Sequence, residues 1–369
     1  MTDGITRVLL LCAPSANRVY TAAAGPLLER EAERVLTAHL GTPATASART
    51  LAGVEYLEIR ANAPRAEVAR IASTLSAVLG LFALEDDSGD EHTGNEALPL
   101  LRPVPLVDPH RWGSELETTL KYSGKTNEQF TALLLNLAAA ASDRREGLLD
   151  GSLAVLDPMC GRGTTLSRAV RLGLSPVGAD IDSGDLEAYR AFLLTWMRSE
   201  RLKHTSSSGR LTVAGRRLGT RFEAEFARDK AAQKAGETQH VTLLGCDTTA
   251  VGDVLAARSV DALVADLPYG VQHGSRSGGA LQRSPLEVLR RAAPVWRDLL
   301  RATGGMALAL NRHTCPYEEA ASVLTDAGFT VHSRDGEFRH RVDQSIDRDV
   351  LLAVRSDHPR PPARADDPR

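Results

Sequence analysis

The chain is poor in lysine, aromatic residues and cysteine, and it has no long apolar run. Only five of its 44 basic residues are lysines (Lys121, Lys125, Lys203, Lys230 and Lys234); the rest are arginines. Set among so many alanines, that bias reads as GC-rich coding, so arginine content alone is no signature of nucleic-acid binding. A formal net charge of −3 excludes a strongly basic polyanion binder, and any such contact has to come from a local patch. The four cysteines, Cys12, Cys160, Cys246 and Cys315, are isolated, with no C-x-x-C pair and no histidine at ligand spacing. That argues against a zinc site, and against a metal altogether, and for a reducing, cytoplasmic setting. No charged-then-apolar leader is seen. The longest apolar run, Leu133 to Ala141, is broken by Asn136 and too short for a bilayer, so no membrane role is expected.

What is present centres on residues 153 to 182, LAVLDPMCGRGTTLSRAVRLGLSPVGADID. A short apolar run, Leu153 to Leu156, ends on Asp157 and Pro158. A glycine turn follows, Cys160-Gly161-Arg162-Gly163, and Thr164 opens a segment with Leu166, Ala169, Val170 and Leu172 at the spacing of one helix face. Gly173 stops it, and Val177 to Ala179 reads as a second buried strand ending on Asp180, with Ile181 and Asp182 beyond. This is a β-turn-α-β unit of a doubly wound sheet. It is not a dinucleotide fingerprint, because Leu166 stands where the third glycine would be and Asp157 would repel a pyrophosphate. A carboxylate at 157 suits a ligand with a positive end, and Asp180 is placed to accept ribose hydroxyls. Adenosine without phosphates and carrying an amino acid fits both, so S-adenosyl-L-methionine is the cofactor expected.

A further buried strand, Val260 to Ala265, runs into Asp266-Leu267-Pro268-Tyr269-Gly270. An exocyclic amine on a base is a poor nucleophile because its lone pair is delocalised into the ring. The Asp266 carboxylate and the Leu267 carbonyl can each accept one N–H, aiming the lone pair and stabilising the charge that develops. Pro268 fixes the backbone, and Tyr269 offers a flat face for stacking the base.

DPMCGRGTT, GADID and DLPYG together resemble the nucleic-acid amino-methyltransferases, whose last motif has the form (D/N)-P-P-(Y/F). Leu267 replaces the more usual first proline. The branch most resembled methylates guanine N2 in tRNA and large-subunit rRNA, often behind a THUMP RNA-binding domain. The resemblance covers roughly residues 115 to 355. It implies a Rossmann-like methyltransferase sheet whose last strand is antiparallel. It implies that Cys246-Asp247, after the strand Val241 to Leu244, meets the adenine amine, and that Thr126 and Phe130 close the methionine end. Phe130 is equally readable as core, and Cys160 as filler under the cofactor. The substrate expected is tRNA, with rRNA, DNA adenine or cytosine, and a non-catalytic RNA-binding factor as alternatives. A partner subunit is compatible with the weak net charge.

Residues 1–98 read as a separate small α+β domain in β-α-β-α order (Val8 to Leu11, Gly25 to Leu40, Val54 to Ile59, Glu67 to Phe82), a reduced THUMP-like or ferredoxin-like module. Residues 1 to 101 hold eight arginines, no lysine and thirteen acidic residues, a poor surface for duplex RNA. Residues 99–114 read as a proline-punctuated linker, 115–355 as the methyltransferase domain, and 356–369 as a disordered tail. Residues 198 to 235 hold ten basic against four acidic residues, the most basic stretch of the chain. They are expected either to grip phosphates or to form a solvated loop. Val271 to Gly279 reads as a lid with Arg276 reaching a phosphate, and His340-Arg341 as a surface turn or a substrate contact.

Overall fold

The computed structural model describes residues 5–15, 17–85, 99–122, 124–268 and 284–362. The chain divides into two compact units, Met1–Pro109 and His110–Arg369. Among the described residues no helix is long and apolar enough to cross a membrane, and no group of three or more His, Cys, Asp or Glu could hold a metal.

In the first unit the order is β1 (Thr6–Cys12), α1 (Arg18–Leu40), β2 (Ala44–Leu51), β3 (Val54–Ala61), α2 (Arg65–Ala72), β4 (Val78–Glu85) and β5 (Leu100–Val104). The strands form one antiparallel sheet, β2-β3-β1-β4-β5. The first six elements follow the β-α-β-β-α-β ferredoxin-like order. Asn17 starts α1 by accepting the Val19 and Tyr20 N–H groups, and Gly41 ends it at φ 67°. Three expectations are corrected here. The helix expected over Glu67 to Phe82 stops at Ala72, because Val78 to Glu85 finds a partner in β1 and pairing outweighs helical spacing. The alanine- and threonine-rich β2 lacks an apolar stripe and went unforeseen. Part of the expected linker is β5, which pairs with β4 and tolerates Pro103 as an outer strand.

The second unit opens with Arg111 and Trp112, also assigned to the linker. The Arg111 N–H bonds the Arg171 carbonyl at 2.7 Å, and the Trp112 ring meets Trp196 edge-on at 5.5 Å. There follow α3 (Glu115–Thr118), α4 (Glu128–Ala140), α5 (Gly147–Asp150), β6 (Val155–Asp157), α6 (Thr164–Arg171), β7 (Val177–Asp180) and α7 (Ser183–Ser199). Then come β8 (Lys203–Val213), β9 (Arg216–Ala227), α8 (Lys230–Lys234), β10 (Gln239–Gly245), a 3-10 turn (Thr248–Asp253) and β11 (Val260–Asp266). The chain closes with α9 (Pro285–Leu299), β12 (Leu300–Asn311), α10 (Tyr317–Asp326), β13 (Phe329–Val331), β14 (His340–Arg341) and β15 (Asp347–Arg355).

The sheet runs β13-β15-β12-β11-β6-β7-β10-β9-β8, with β14 on β15. Its centre, β12-β11-β6-β7-β10, is parallel and doubly wound, and β15 enters antiparallel between β12 and β13. The expected Rossmann-like sheet with an antiparallel last strand is therefore what forms. The strand β11 is buried up to Ala265, as a parallel strand covered on both faces must be. Helix α4 is buried along its whole length from Phe130, which is where the apolar run at Leu133 goes.

The basic stretch is a correction. Residues 203 to 227 are neither loop nor disordered but a long hairpin, β9 pairing with β10 through seven residues. Its signal was period two: Phe222, Ala224 and Phe226 face the core while Arg221, Glu223 and Glu225 alternate outward. The turn is made by Ala214 and Gly215, both at positive φ, the form that suits strand twist. The tail is corrected as far as it is described. Ser356 bonds the Gly328 carbonyl, His358 is buried, and Arg360 pairs with Asp143 at 2.9 Å.

Candidate active site

The direction of winding reverses between β6 and β11, so the carboxyl ends of β7, β6 and β11 stand side by side at the switch point of the sheet. Each of these strands ends on an aspartate. Asp157 is buried, and its Oδ1 accepts the Met159 N–H at 3.1 Å. Burial pushes its pKa up to about 7, the charges of Asp180 and Asp266 push the same way, and hydrogen bonds from Thr165 and Met159 oppose them. A buried carboxylate in that state favours a cationic partner, which would restore its ionised form.

The turn between β6 and α6 is set by close contacts. Gly163 sits at φ 73°, and a Cβ there would lie 2.6 Å from the Tyr189 ring. A Cβ on Gly178 in β7 would meet Leu166 at 2.5 Å and the Cys160 sulfur at 2.8 Å. The turn is thus pressed onto the second strand and onto α7. Cys160 lies beneath it, buried, with its thiol pKa pushed up mainly by burial. Pro158 is buried too. Asp180 ties the turn down: its Oδ2 accepts the Gly161 N–H at 2.8 Å and its Oδ1 the Asp182 N–H at 2.9 Å. Ile181, next along, is 75% exposed, an apolar side chain left at the rim of the site.

Asp182 has a structural job, since its Oδ1 accepts the Gly184 and Asp185 N–H groups and caps α7. Asp247 likewise accepts from the Thr249 N–H and hydroxyl and starts the 3-10 turn. Cys246 is buried in the core, its thiol pushed up to about 11 by burial.

Asp266 is met from two distant parts of the chain. The Thr126 hydroxyl donates to its Oδ2 at 2.8 Å, and an Arg348 Nη2 lies 3.9 Å from the same oxygen. The Leu267 N–H bonds the Ala309 carbonyl at 3.0 Å, which carries the β11–β12 pairing one residue past the strand, and its side chain is buried. Pro268 is exposed. Tyr269 and the expected lid with Arg276 lie outside the described residues.

Phe130 is fully buried, 4.9 Å from the His340 ring with the Arg348 guanidinium 4.6 Å over its face, a packing that suits the core alternative. His340 is a correction. It is buried in β14 rather than in a surface turn, and burial pulls its pKa down to about 4.

Sequence reasoning passed over Arg348, Tyr122 and Arg162. The Tyr122 hydroxyl is 3.0 Å from that of Thr164, and the Arg162 guanidinium lies 4.8 Å over the Tyr122 ring while its Nε bonds Asp185 at 2.7 Å. For Arg348 a signal existed. Asp347-Arg348-Asp349 opens a strand that is apolar from Val350 to Val354, and charged residues inside a buried strand are rare unless they serve one another or a site.

No family model matches this sequence, and no curated protein matches it either. Among solved structures, the chain is similar to TrmN from Thermus thermophilus, at 15% identity over 95% of this chain and 99% of that one, with a TM-score of 0.42. A TehB-like SAM-dependent methyltransferase from Corynebacterium glutamicum is 14% identical over 60% of this chain and 92% of its own, with a TM-score of 0.32. A ribosomal protein L11 methylase from Lactobacillus delbrueckii subsp. bulgaricus is 16% identical over 62% and 79%, with a TM-score of 0.34.

Proposed function

We propose that this protein is an S-adenosyl-L-methionine-dependent methyltransferase that acts on an exocyclic amine of a nucleic-acid base, guanine N2 in tRNA before others. The observation that carries the reading is the pair of carboxylates on adjacent strand ends, Asp157 buried on β6 and Asp266 on β11 held by Thr126. The choice of base and of tRNA rests on the resemblance carried by DPMCGRGTT, GADID and DLPYG.

The residues present fit the cofactor. Asp157, buried with a raised pKa, calls for a cation such as an α-ammonium group. Asp180 offers carboxylate oxygens to ribose hydroxyls, Ile181 offers an exposed apolar surface to adenine, and Asp247 stands on the neighbouring strand end. The cofactor, when bound, supplies a methyl group on a sulfonium.

Asp266 would accept one N–H of the target amine and the Leu267 carbonyl the other. Both acceptors strengthen as the nitrogen becomes positive, so they act mainly in the transition state. Thr126, donating to Oδ2, fixes the carboxylate before the base arrives. Tyr269 would stack the base once it has left its neighbours.

Bulk tRNA incubated with purified protein and methyl-labelled cofactor, followed by nucleoside mass spectrometry, tests this. Label is expected on guanosine N2. Asp266→Ala should slow single-turnover transfer by roughly 100-fold or more, with Asp266→Asn in between. Tyr269→Phe should be mild and Tyr269→Ala severe. Label found only in rRNA or DNA would move the substrate. Full activity in Asp266→Ala would remove the mechanism.

A further inference from the structure

The β8–β9 hairpin extends the sheet on the side of β10, and its tip passes beyond the catalytic edge. Gly245, the last residue of β10, is opposite Thr220, so residues 211 to 219 project past the carboxyl end of the parallel strands. The tip is anchored there. Leu211 is buried in the same cluster as Leu244 and Val251, Leu218 packs against that cluster, and Arg216 pairs with Asp253 at 2.6 Å. Cations remain on the anchored tip and at its base. Arg210 and Arg217 are exposed and make no ion pair among the described residues, and residues 209 to 221 include no acid. Arg210 stands opposite Thr220 in register, two residues from the Ser208–Phe222 pair. Thr220, Ser208 and Phe222, with Leu186, Arg190 and Arg221, line a cleft of about 360 Å³ between the hairpin and α7.

We infer that the hairpin tip is a clamp for a nucleic-acid backbone, with Arg210 and Arg217 as its phosphate ligands. The strand β9 lies four strand spacings from β11, about 19 Å at the usual separation. A polynucleotide with one base at Asp266 can therefore pass the tip on the same edge of the sheet. Flexible arginines on an ordered β ribbon suit phosphates, which fix register without reading sequence. The clamp also accounts for how a chain of net charge −3 engages a polyanion: the charge is local and adjacent to the site. This inference rests on the nucleic-acid reading of the active site.

The test uses the full chain and bulk tRNA as probe, with affinity measured by fluorescence anisotropy from low to moderate salt. The variant Arg210→Gln/Arg217→Gln is compared with wild type and with Arg18→Gln/Arg291→Gln, which removes two exposed arginines elsewhere. Removing two phosphate ligands should lower the slope of log affinity against log salt by about 1.4–1.8, while calorimetric affinity for S-adenosylhomocysteine and the melting temperature stay at wild-type values. A slope and affinity equal to wild type, or an equal drop in the control, would overturn the clamp and leave the active-site reading standing. Wild-type protein that binds S-adenosylhomocysteine but no tRNA, rRNA or DNA at low salt would overturn both. A change in oligomeric state with unchanged tRNA binding would overturn the clamp and assign the tip to an interface between copies of this chain.

Discussion

The residue with most to explain is Asp157. Burial without a cation raises its pKa to about 7, so in the free protein it gives up stability as pH rises from the ordinary carboxylate range toward neutrality. The sign is that of an acid whose folded pKa exceeds its unfolded one: the folded state holds the proton longer, and the stability present below pH 4 is lost by about pH 7. The full span is on the order of 4 kcal/mol. Asp157→Asn is neutral throughout, so thermal melts of the cofactor-free variant and wild type should diverge with pH, the variant gaining most at pH 8. The same substitution should weaken S-adenosylhomocysteine binding at pH 8, because the ammonium partner is gone. A melting difference independent of pH would place the cost elsewhere. Asp180 is a second case. It accepts the Gly161 N–H and is the proposed ribose acceptor, so Asp180→Ala should weaken cofactor binding by about 1.5–3 kcal/mol in calorimetry. Unchanged affinity would remove the ribose assignment.

At the scale of elements, the β6 turn works because it is squeezed between β7 and α7. Gly178 is where the squeeze is tightest, with Leu166 and Cys160 both inside van der Waals distance of an added Cβ. Gly178→Ala should cost about 1–3 kcal/mol by overpacking and should also weaken S-adenosylhomocysteine binding, since the displaced residues are Cys160 in the turn and Leu166 in the helix that follows it. Loss of stability with full affinity would show that the turn relaxes independently of the strand. The hairpin is the converse case. Deleting residues 204 to 235 would not remove a loose loop; it would strip β9 from β10 and uncover Val241 and Leu243, now buried beside Phe222, Ala224 and Phe226. Point substitutions at its tip are therefore the cleaner probe of its role.

At the scale of the molecule, the two units each bury a core of their own, around Leu9, Leu28 and Ile59 in the first and around Leu263, Trp296 and Leu308 in the second. Every residue given a cofactor role lies in the second. A fragment of residues 110–369 should accordingly fold and bind S-adenosylhomocysteine within about threefold of the full chain, that is, within less than 1 kcal/mol. A fragment that folds but binds much more weakly would make the first unit part of the cofactor site. The acid excess of residues 1–101 is a property of the sequence and not of the described surface, since Glu31 and Glu58 are buried in the first unit.

The sequence by itself determined what depends on neighbours along the chain. Buried parallel strands must be apolar, so Leu153 to Leu156 and Val260 to Ala265 stood out with their terminal aspartates. The glycine turn announced itself because few other residues accept positive φ. Tertiary structure decided whatever depends on a distant partner. Thr126 meets Asp266 across 140 positions, and Arg348 arrives from the last long strand. Val78 to Glu85 became strand rather than helix because β1 offered it a ladder. The hairpin formed because three side chains on alternate positions found a core beside β10, a fact hidden under a composition rich in serine, glycine and arginine. Local sterics can be read in order; pairing and burial are settled only when the whole chain competes for the same apolar surface.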